Sequence, residues 1–226
     1  MDPVLSTSLD FASLDELDPS LVEGYRLFYE REVPLELRTY DGTSFPTEVG
    51  TLEALRVKVL IAGDAKRPDA IRVELSSENN LFFNFIHETT KEGFSDLQES
   101  QRLMIEFPEY SQLILRLLNC CLKEPHSFLG VMVFTRDKMA RLDFIQNMEH
   151  KFVELLSLKF TESNEEFVRR QITYRYNNMK SKLAIMHAKL ADVNAMVKIK
   201  NPSLLLHLNK GSTRSTLHSS RKTFVP

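Results

Sequence analysis

The sequence of residues 165–199 is EEFVRRQITYRYNNMKSKLAIMHAKLADVNAMVKI. Its large apolar side chains recur in alternating steps of four and three residues, which is the 3.5-residue period of a helix that presents one apolar row to a partner. We call this row the stalk seam; it comprises Ile172, Tyr176, Met179, Leu183, Met186, Leu190, Val193 and Val197. Ser163 or Asn164 can cap the start of the helix, and Pro202 predicts its end. The stretch therefore predicts one long C-terminal helix.

Either a second molecule or the rest of the same chain can cover the stalk seam. The period holds at 3.5 rather than drifting to 3.6, and a helix of this length extends about 50 Å at 1.5 Å per residue. Burying a large apolar side chain contributes roughly 1.5–3 kcal/mol, whereas association costs on the order of 4–15 kcal/mol. We therefore expect a homodimer of weak to moderate affinity through the seam. The alternative is that the helix folds back onto the preceding part of its own chain.

Residues 25–162 have the pattern of a β-rich head domain. Apolar alternation between turn signals predicts about seven strands, at 27–38, 55–61, 71–75, 81–86, 127–135, 140–148 and 151–160. A possible capping box at Thr89–Glu92, and Pro108, predict the starts of two helices within this domain. The apolar spacing from Tyr110 to Cys121 marks a core-facing side of the second helix, so Cys121 is interpreted as packing. The predicted fold class is α+β: a mainly antiparallel seven-stranded sandwich or barrel-like head with an inserted helix-turn-helix, followed by a C-terminal stalk helix.

Charge is distributed unevenly along the chain, although the net charge is only −2. Residues 1–24 contain acids and no Lys or Arg, and we expect a flexible acidic arm there. No acid follows Asp192, and residues 201–226 are predicted to be a disordered basic tail. The predicted organisation is thus the arm at 1–24, the head at 25–162, a short coiled-coil helix at 163–200 and the tail at 201–226.

The sequence offers no motif for catalysis or for cofactor binding. The seven glycines form no phosphate-binding loop, the histidines lack metal-ligand spacing, and no Gly-x-Ser-x-Gly elbow occurs. Adjacent Cys120 and Cys121 cannot form an ordinary disulfide with each other, which favours a reducing compartment. No apolar run approaches the roughly 20 residues that span a bilayer. We predict a cytoplasmic protein that is not an enzyme and has no cofactor, metal, small-molecule substrate or membrane partner.

Residues 69–86, DAIRVELSSENNLFFNFI, combine a strand, a polar turn and a strand with two adjacent aromatic residues. This order resembles the spindle-assembly-abnormal-protein-6 family, the centriolar cartwheel proteins. The resemblance covers about residues 27–199 and continues, in the same order and spacing, through Val33–Leu37, Glu92–Phe94, Leu103–Phe107, Leu142–Met148 and Leu155–Lys159. It implies a β-sandwich head carrying a helix-turn-helix, followed by a parallel dimeric coiled coil.

The resemblance also implies a second contact, between two heads. In the family, a large apolar side chain on the hairpin before the last strand inserts into a pocket of the neighbouring head. Two different two-fold contacts on one chain generate a ring or a chain of molecules. By register from Leu155–Lys159, the position of the family's usual phenylalanine falls at His150, with Met148 and Phe152 as its apolar neighbours. These three residues are the candidates for a head-to-head contact.

A helix that ends before Pro202 is shorter than the spoke-forming coiled coil of the family. The shortened form resembles the "like" subfamily of cartwheel proteins, which is associated with basal bodies, flagella and the apical cytoskeleton of some protists. The implied function is a non-enzymatic scaffold of the centriole, basal body, cilium or flagellar base, which binds itself and other basal-body or axonemal proteins. A DNA end-joining scaffold of the same head-and-stalk design is the alternative, with the basic tail as its DNA contact; otherwise we expect no nucleic-acid partner.

Overall fold

The computed structural model describes residues 18–39, 50–64, 66–135 and 137–200. In chain order, a 3₁₀-helix (Pro19–Gly24) precedes β1 (Tyr25–Thr39), β2 (Thr51–Asp64), β3 (Arg67–Ser77), β4 (Asn84–Thr90), α1 (Lys91–Gln101), α2 (Phe107–Lys123), β5 (Phe128–Phe134), β6 (Met139–Met148), β7 (Lys151–Glu162) and α3 (Glu165–Lys200). The chain divides into two compact units, one formed by Asp15–Arg175 and one that contains the rest of α3 from Tyr176 onward. In these described ranges no helix combines the length and the apolar character that crossing a membrane requires.

The seven strands close into a barrel in the order β1-β2-β3-β4-β7-β6-β5. Strands β1–β4 form one antiparallel meander and β5–β7 a second, with α1 and α2 between them. The two meanders meet at a short parallel pairing of β1 with β5, from Glu36↔Val131 to Thr39↔Phe134. The predicted fold class, α+β with a mainly antiparallel seven-stranded head and a two-helix insertion, is confirmed.

The core fills the barrel and extends under α1 and α2. On β2, Leu55, Val57 and Val59 are fully buried and belong to this core. The intervening Lys58 and Leu60 are also buried, although the alternation predicted a half-buried strand. The reason is that a second layer lies on this part of β2: Leu60 packs with Tyr25 and Ala70 in a small separate cluster against the 3₁₀-helix.

Between β4 and β7, few backbone hydrogen bonds close the barrel, and side-chain hydrogen bonds complete the closure. These strands share only the pairs Phe85↔Glu162 and Ile86↔Thr161 in their register. Farther along, the Gln101 amide donates to the Ser157 carbonyl (2.7 Å) and accepts the Ser157 N–H (2.8 Å), so α1 supplies the hydrogen bonds that a strand would otherwise supply. The inserted helices are therefore part of the barrel wall.

His87 of β4 bridges the same gap from inside the core. Its Nδ1 lies 2.8 Å from the Lys159 carbonyl, and its Nε2 lies 3.0 Å from the Tyr110 hydroxyl. A carbonyl oxygen can only accept, so Nδ1–H donates and Nε2 accepts from Tyr110. Burial lowers the pKa of His87 and raises the pKa of Tyr110, because both charged forms would be desolvated. The pair is consistent with neutral side chains that complete the core.

Strand β4 begins later than its apolar sequence predicts. Leu81–Phe83 lie outside the strand, because Ser77 Oγ accepts the N–H groups of Asn79 and Asn80 and the Asn80 side chain accepts the N–H of Phe82. These side-chain bonds extend the polar turn into the apolar run. The helix starts agree more closely with the sequence: Thr90 caps α1 through the Gly93 N–H, and Asn164, rather than Ser163, caps α3 through the Phe167 N–H (2.7 Å).

Candidate assembly site

The start of α3 is bound directly to the barrel. Ser163, in the link from β7, donates its N–H to the Asn84 carbonyl (3.0 Å) and its hydroxyl to the Asn84 side chain (2.5 Å). One turn into the helix, Val168 is 6% exposed. The orientation of the first turns of α3 on the head is thus set by contacts within the Asp15–Arg175 unit.

A buried polar cluster reinforces this junction, and we call it the basal network: Asp18, Ser20, Lys58, Glu74 and Gln171. The Ser20 hydroxyl donates to Glu74 Oε2 (2.6 Å) and accepts from Gln171 Nε2 (2.8 Å) and Lys58 Nζ (3.3 Å). The Asp18 carboxylate pairs with Lys58 and accepts the Ser20 N–H (2.9 Å). The network therefore joins the 3₁₀-helix, two strands and the base of α3 through one hydroxyl.

The basal network holds two carboxyl groups and one ammonium group in a buried site. Burial raises the pKa of Glu74, and the nearby Asp18 carboxylate acts in the same direction. A neutral Glu74 would reduce the excess negative charge around Lys58. Glu74 Oε1 has no hydrogen-bond partner among the described residues. No periodic pattern in the sequence predicts this network. The flexible arm was predicted at 1–24; residues 1–17 of it lie outside the described part of the chain, and residues 18–24 pack on β2 and β3.

Arg175 forms a second tie between α3 and the barrel. Its guanidinium donates to the Ser77 carbonyl (3.2 Å) and pairs with Glu78 Oε1 (2.7 Å). The same Glu78 oxygen also receives Arg56 of β2 (2.8 Å). Since the Arg175 side chain is only 15% exposed, this pair is better shielded from solvent than an ordinary surface ion pair.

The stalk seam is exposed over most of its length. Its residues from Tyr176 to Val193 are between 48% and 69% exposed. Ile172 and Val197, at its two ends, are half-buried. An apolar row this exposed is available to another helix, and its role as a dimer interface remains a prediction. Ile185, which the seam prediction did not include, is buried (9% exposed) on a different face of the helix.

The three head-to-head candidates lie together on the hairpin of residues 147–152. Glu149 and His150 form its two-residue turn, with Met148↔Lys151 and Asn147↔Phe152 as the first pairs. Partners in register share a face and neighbours alternate, so Met148 and Phe152 lie on opposite faces of the hairpin. Met148 is 45% exposed and Phe152 66%. One pocket in a neighbouring molecule can therefore receive only one of these two side chains.

Cys121 lies in the environment of a packing residue. Cys121 is buried on α2, as predicted, and burial raises the pKa of its thiol to about 12. Both Cys120 and Cys121 are free thiols. Within the described ranges no three His, Cys, Asp or Glu side chains are grouped as metal ligands would be.

The described residues thus form a closed seven-stranded domain with a two-helix insertion, followed in sequence by a helix with an exposed apolar row. Residues 27–160, more than half of the chain, match the family described as "Centriolar protein SAS N-terminal domain" (SAS-6_N). The chain belongs to this family of centriolar proteins.

Solved structures of SAS-6 fragments share the fold at low sequence identity. An N-terminal fragment of Leishmania SAS-6 with part of its coiled coil is 16% identical, with a TM-score of 0.65 over 82% of this chain and 98% of the fragment. A Drosophila melanogaster Sas-6 fragment, dimerised via its coiled coil, is 15% identical with a TM-score of 0.67; the match covers 88% of this chain and 96% of the fragment. An N-terminal coiled-coil dimer of C. elegans SAS-6 is 10% identical with a TM-score of 0.55; the match covers 76% of this chain and 99% of that structure's chain. No curated protein matches the chain.

Proposed function

We propose that this protein is a structural scaffold, without enzymatic activity, that self-associates at the centriole, the basal body or the base of a flagellum. The observation that carries the proposal is the exposed stalk seam, which follows directly on a head of the centriolar SAS family. The family membership favours this role over the alternative of a DNA end-joining scaffold.

The stalk contact is proposed to be the stronger of two self-contacts. Each large apolar side chain buried between two helices contributes roughly 1.5–3 kcal/mol, and the seam offers several on each chain. The basal network and Arg175 fix the first turns of α3 on the barrel.

The head contact is proposed to use the 147–152 hairpin, with Phe152 as the main apolar side chain. Phe152 exposes more of its surface than Met148, whereas the imidazole of His150, at the tip, is polar. A small apolar contact of this kind is weak when it stands alone. Combined with the stalk contact, it would link dimers into larger assemblies.

Two measurements on the full chain test the proposal together. Sedimentation equilibrium should show a reversible dimer and, at higher concentration, larger species. Imaging of a tagged copy should place it with centriole, basal-body or axonemal markers, where other proteins of that structure would be its partners. A chain that remains monomeric at every concentration and is diffuse in cells would contradict the proposal.

A further inference from the structure

One side of α3 is shielded from solvent although it lies off the stalk seam. Ile185 is only 9% exposed, whereas the seam residues from Tyr176 to Val193 are between 48% and 69% exposed. Asn178, Ser181 and Lys182, which precede Ile185 on the same side of the helix, are half-buried. We call these four residues the covered strip. Residues of one helix shield one another only in part, so another segment of the chain covers the strip.

The described residues do not supply this cover from their apolar clusters, neither of which contains Ile185. The strip also belongs to the compact unit that includes α3 from Tyr176 onward, and not to the Asp15–Arg175 unit. The segments left to cover it are the two ends of the chain, residues 1–17 and 201–226, which lie outside the described ranges.

The N-terminal arm joins the described chain at the side of α3 on which the strip lies. Its first described residue, Asp18, accepts a hydrogen bond from Gln171 Nε2 (3.5 Å). Gln171 precedes Ile185 by close to four helical turns on the same side of the helix, about 21 Å at 1.5 Å per residue. Residues 1–17 can span this length, since they would extend about 25 Å even as a helix. The arm is therefore long enough to reach Ile185.

Charge favours the arm over the tail as the cover. The strip carries Lys182, and Lys189 lies two turns farther along the same side. Both lysines already interact with another group of the chain. Residues 201–226 are basic and contain no acid. Residues 1–17 contain no Lys or Arg, and they combine carboxylates with apolar side chains: Asp2, Asp10, Asp15 and Glu16 with Leu5, Leu9, Phe11 and Leu14.

We propose that residues 1–17 pack along the covered strip of their own chain, with their apolar side chains on Ile185 and their carboxylates beside Lys182 and Lys189. Apolar burial supplies most of the stabilisation, and the charges select the arm over the basic tail. The contact supports α3 beyond Arg175, whose guanidinium is bonded to the barrel. It leaves the stalk seam open, because the strip lies on a different side of the helix. The inference goes beyond the proposed function, since the contact forms within one chain.

The test uses a fluorescent reporter, because the chain contains no tryptophan. Phe11→Trp in the full chain places a single indole in the arm, and Leu206→Trp places one in the tail. At concentrations at which sedimentation shows a monomer, the arm reporter should have blue-shifted emission. Acrylamide should quench it several-fold less strongly than in the urea-unfolded chain, whereas the tail reporter should be quenched freely.

A second substitution identifies the surface that shields the arm reporter. Ile185→Asp should restore strong quenching of Phe11→Trp, because it places a carboxylate in the apolar contact. Ile199→Asp is the matched control, since Ile199 lies on the same side of α3 and is 83% exposed. Circular dichroism checks that both variants keep the helix.

Charge is tested separately with a substitution that removes no apolar contact. Lys182→Glu should increase quenching of the arm reporter at low salt, and the increase should shrink at about 1 M salt, where charges are screened. Lys180→Glu is its control, because Lys180 is exposed and lies off the strip. It should change quenching little.

Three results overturn the inference. An arm reporter that is quenched as freely as in urea shows that the arm is not packed, and a shielded tail reporter would then assign the strip to the tail. Shielding that survives both Ile185→Asp and Lys182→Glu places the arm elsewhere. Shielding that appears only as the chain dimerises assigns the contact to a second copy. None of these results removes the stalk seam, whereas a chain that stays monomeric with a shielded arm keeps this inference and contradicts the proposed self-association.

Discussion

The side-chain amide of Gln171 donates a hydrogen bond of 2.8 Å to the hydroxyl of Ser20, 151 residues earlier in the chain. Both residues are buried, and the same hydroxyl also contacts Glu74 and Lys58. A buried polar cluster thus holds the base of the stalk helix. Loss of one side chain would leave its buried partners without hydrogen bonds, which lowers the free energy of unfolding. This makes Ser20 the position at which the junction can be tested most directly.

Ser20→Ala should lower the free energy of unfolding by about 1–3 kcal/mol, because Glu74 and Gln171 each lose a buried hydrogen-bond partner. Urea unfolding of the full chain measures the change. Ser100→Ala is the matched control, since the exposed Ser100 hydroxyl bonds to the Leu97 carbonyl within α1. Equal stability of the two variants would show that the basal network does not support the fold.

The strands and helices could be predicted because each has a period that is visible in a short window. Alternation in Leu55–Ile61 and Ile71–Leu75 reported two neighbouring strands, and the 3.5-residue period reported α3. The inserted helices were visible in the same way, through a cap, Pro108 and an apolar face. Local periodicity reports which side of an element is apolar, and for this head it was enough to obtain the fold class.

The basal network could not be predicted in this way, because its members have no shared period. Asp18 and Ser20 stand in an acidic stretch that resembles an arm, and Gln171 is one polar residue on a helix rich in them. Only the folded chain brings them together, over the outer face of β2. The one available signal was the run from Val57 to Ile61, whose buried outer face implies a covering layer.

The register across the turn of the 147–152 hairpin decides which of its side chains lie on the same face. The sequence predicted strands at 140–148 and 151–160 but not which residues pair across the turn, and the structure pairs Met148 with Lys151. Because side chains alternate along a strand, a change in register decides which residues share a face. The candidate residues could be found from the sequence, but not their division between two opposite faces.

Leu183→Glu and Leu190→Glu should each weaken stalk pairing by more than about a hundredfold, because each substitution removes an apolar side chain from both partners and buries a carboxylate instead. The dissociation constant comes from sedimentation equilibrium. Ala188→Glu adds the same charge at an exposed position on the opposite side of the helix and should change the constant little. Loss of pairing in all three variants would indicate general damage to the helix rather than a seam.

The two faces of the 147–152 hairpin should differ in their effect on assembly. Phe152→Glu should abolish species larger than the stalk dimer, since it removes the more exposed apolar side chain, whereas Met148→Glu should have a smaller effect. Lys151→Glu changes charge in the same hairpin without removing an aromatic side chain. Sedimentation velocity separates the species, and the reverse order of effects would assign the contact to the Met148 face.

His150→Phe should strengthen the head contact by at least about tenfold, because it adds an apolar ring at the tip of the hairpin. The His150 side chain is 92% exposed, so the larger apolar ring meets no steric conflict within the chain. His150→Gln, which stays polar, is the control. The ratio of larger species to dimer reports the change, and equal ratios for both variants would place the contact away from the hairpin tip.

The free energy of unfolding should decrease as the pH falls, because of the buried His87. An unfolded histidine takes up a proton near pH 6.5, whereas burial lowers the pKa of His87 in the folded chain. Below about pH 6.5 the unfolded state therefore binds more protons than the folded state, and the free energy of unfolding decreases by up to about 1.4 kcal/mol per pH unit from this group alone.

The pH effect is isolated by comparing variants between about pH 7.5 and about pH 5. His87→Gln should be less stable than the parent at neutral pH, yet lose less of its stability on acidification, because the titrating group is gone while the other acids and histidines remain. His150→Gln removes an exposed histidine and should keep the parent's dependence. If His87→Gln and the parent lose stability in parallel, His87 is not the group whose protonation weakens the core.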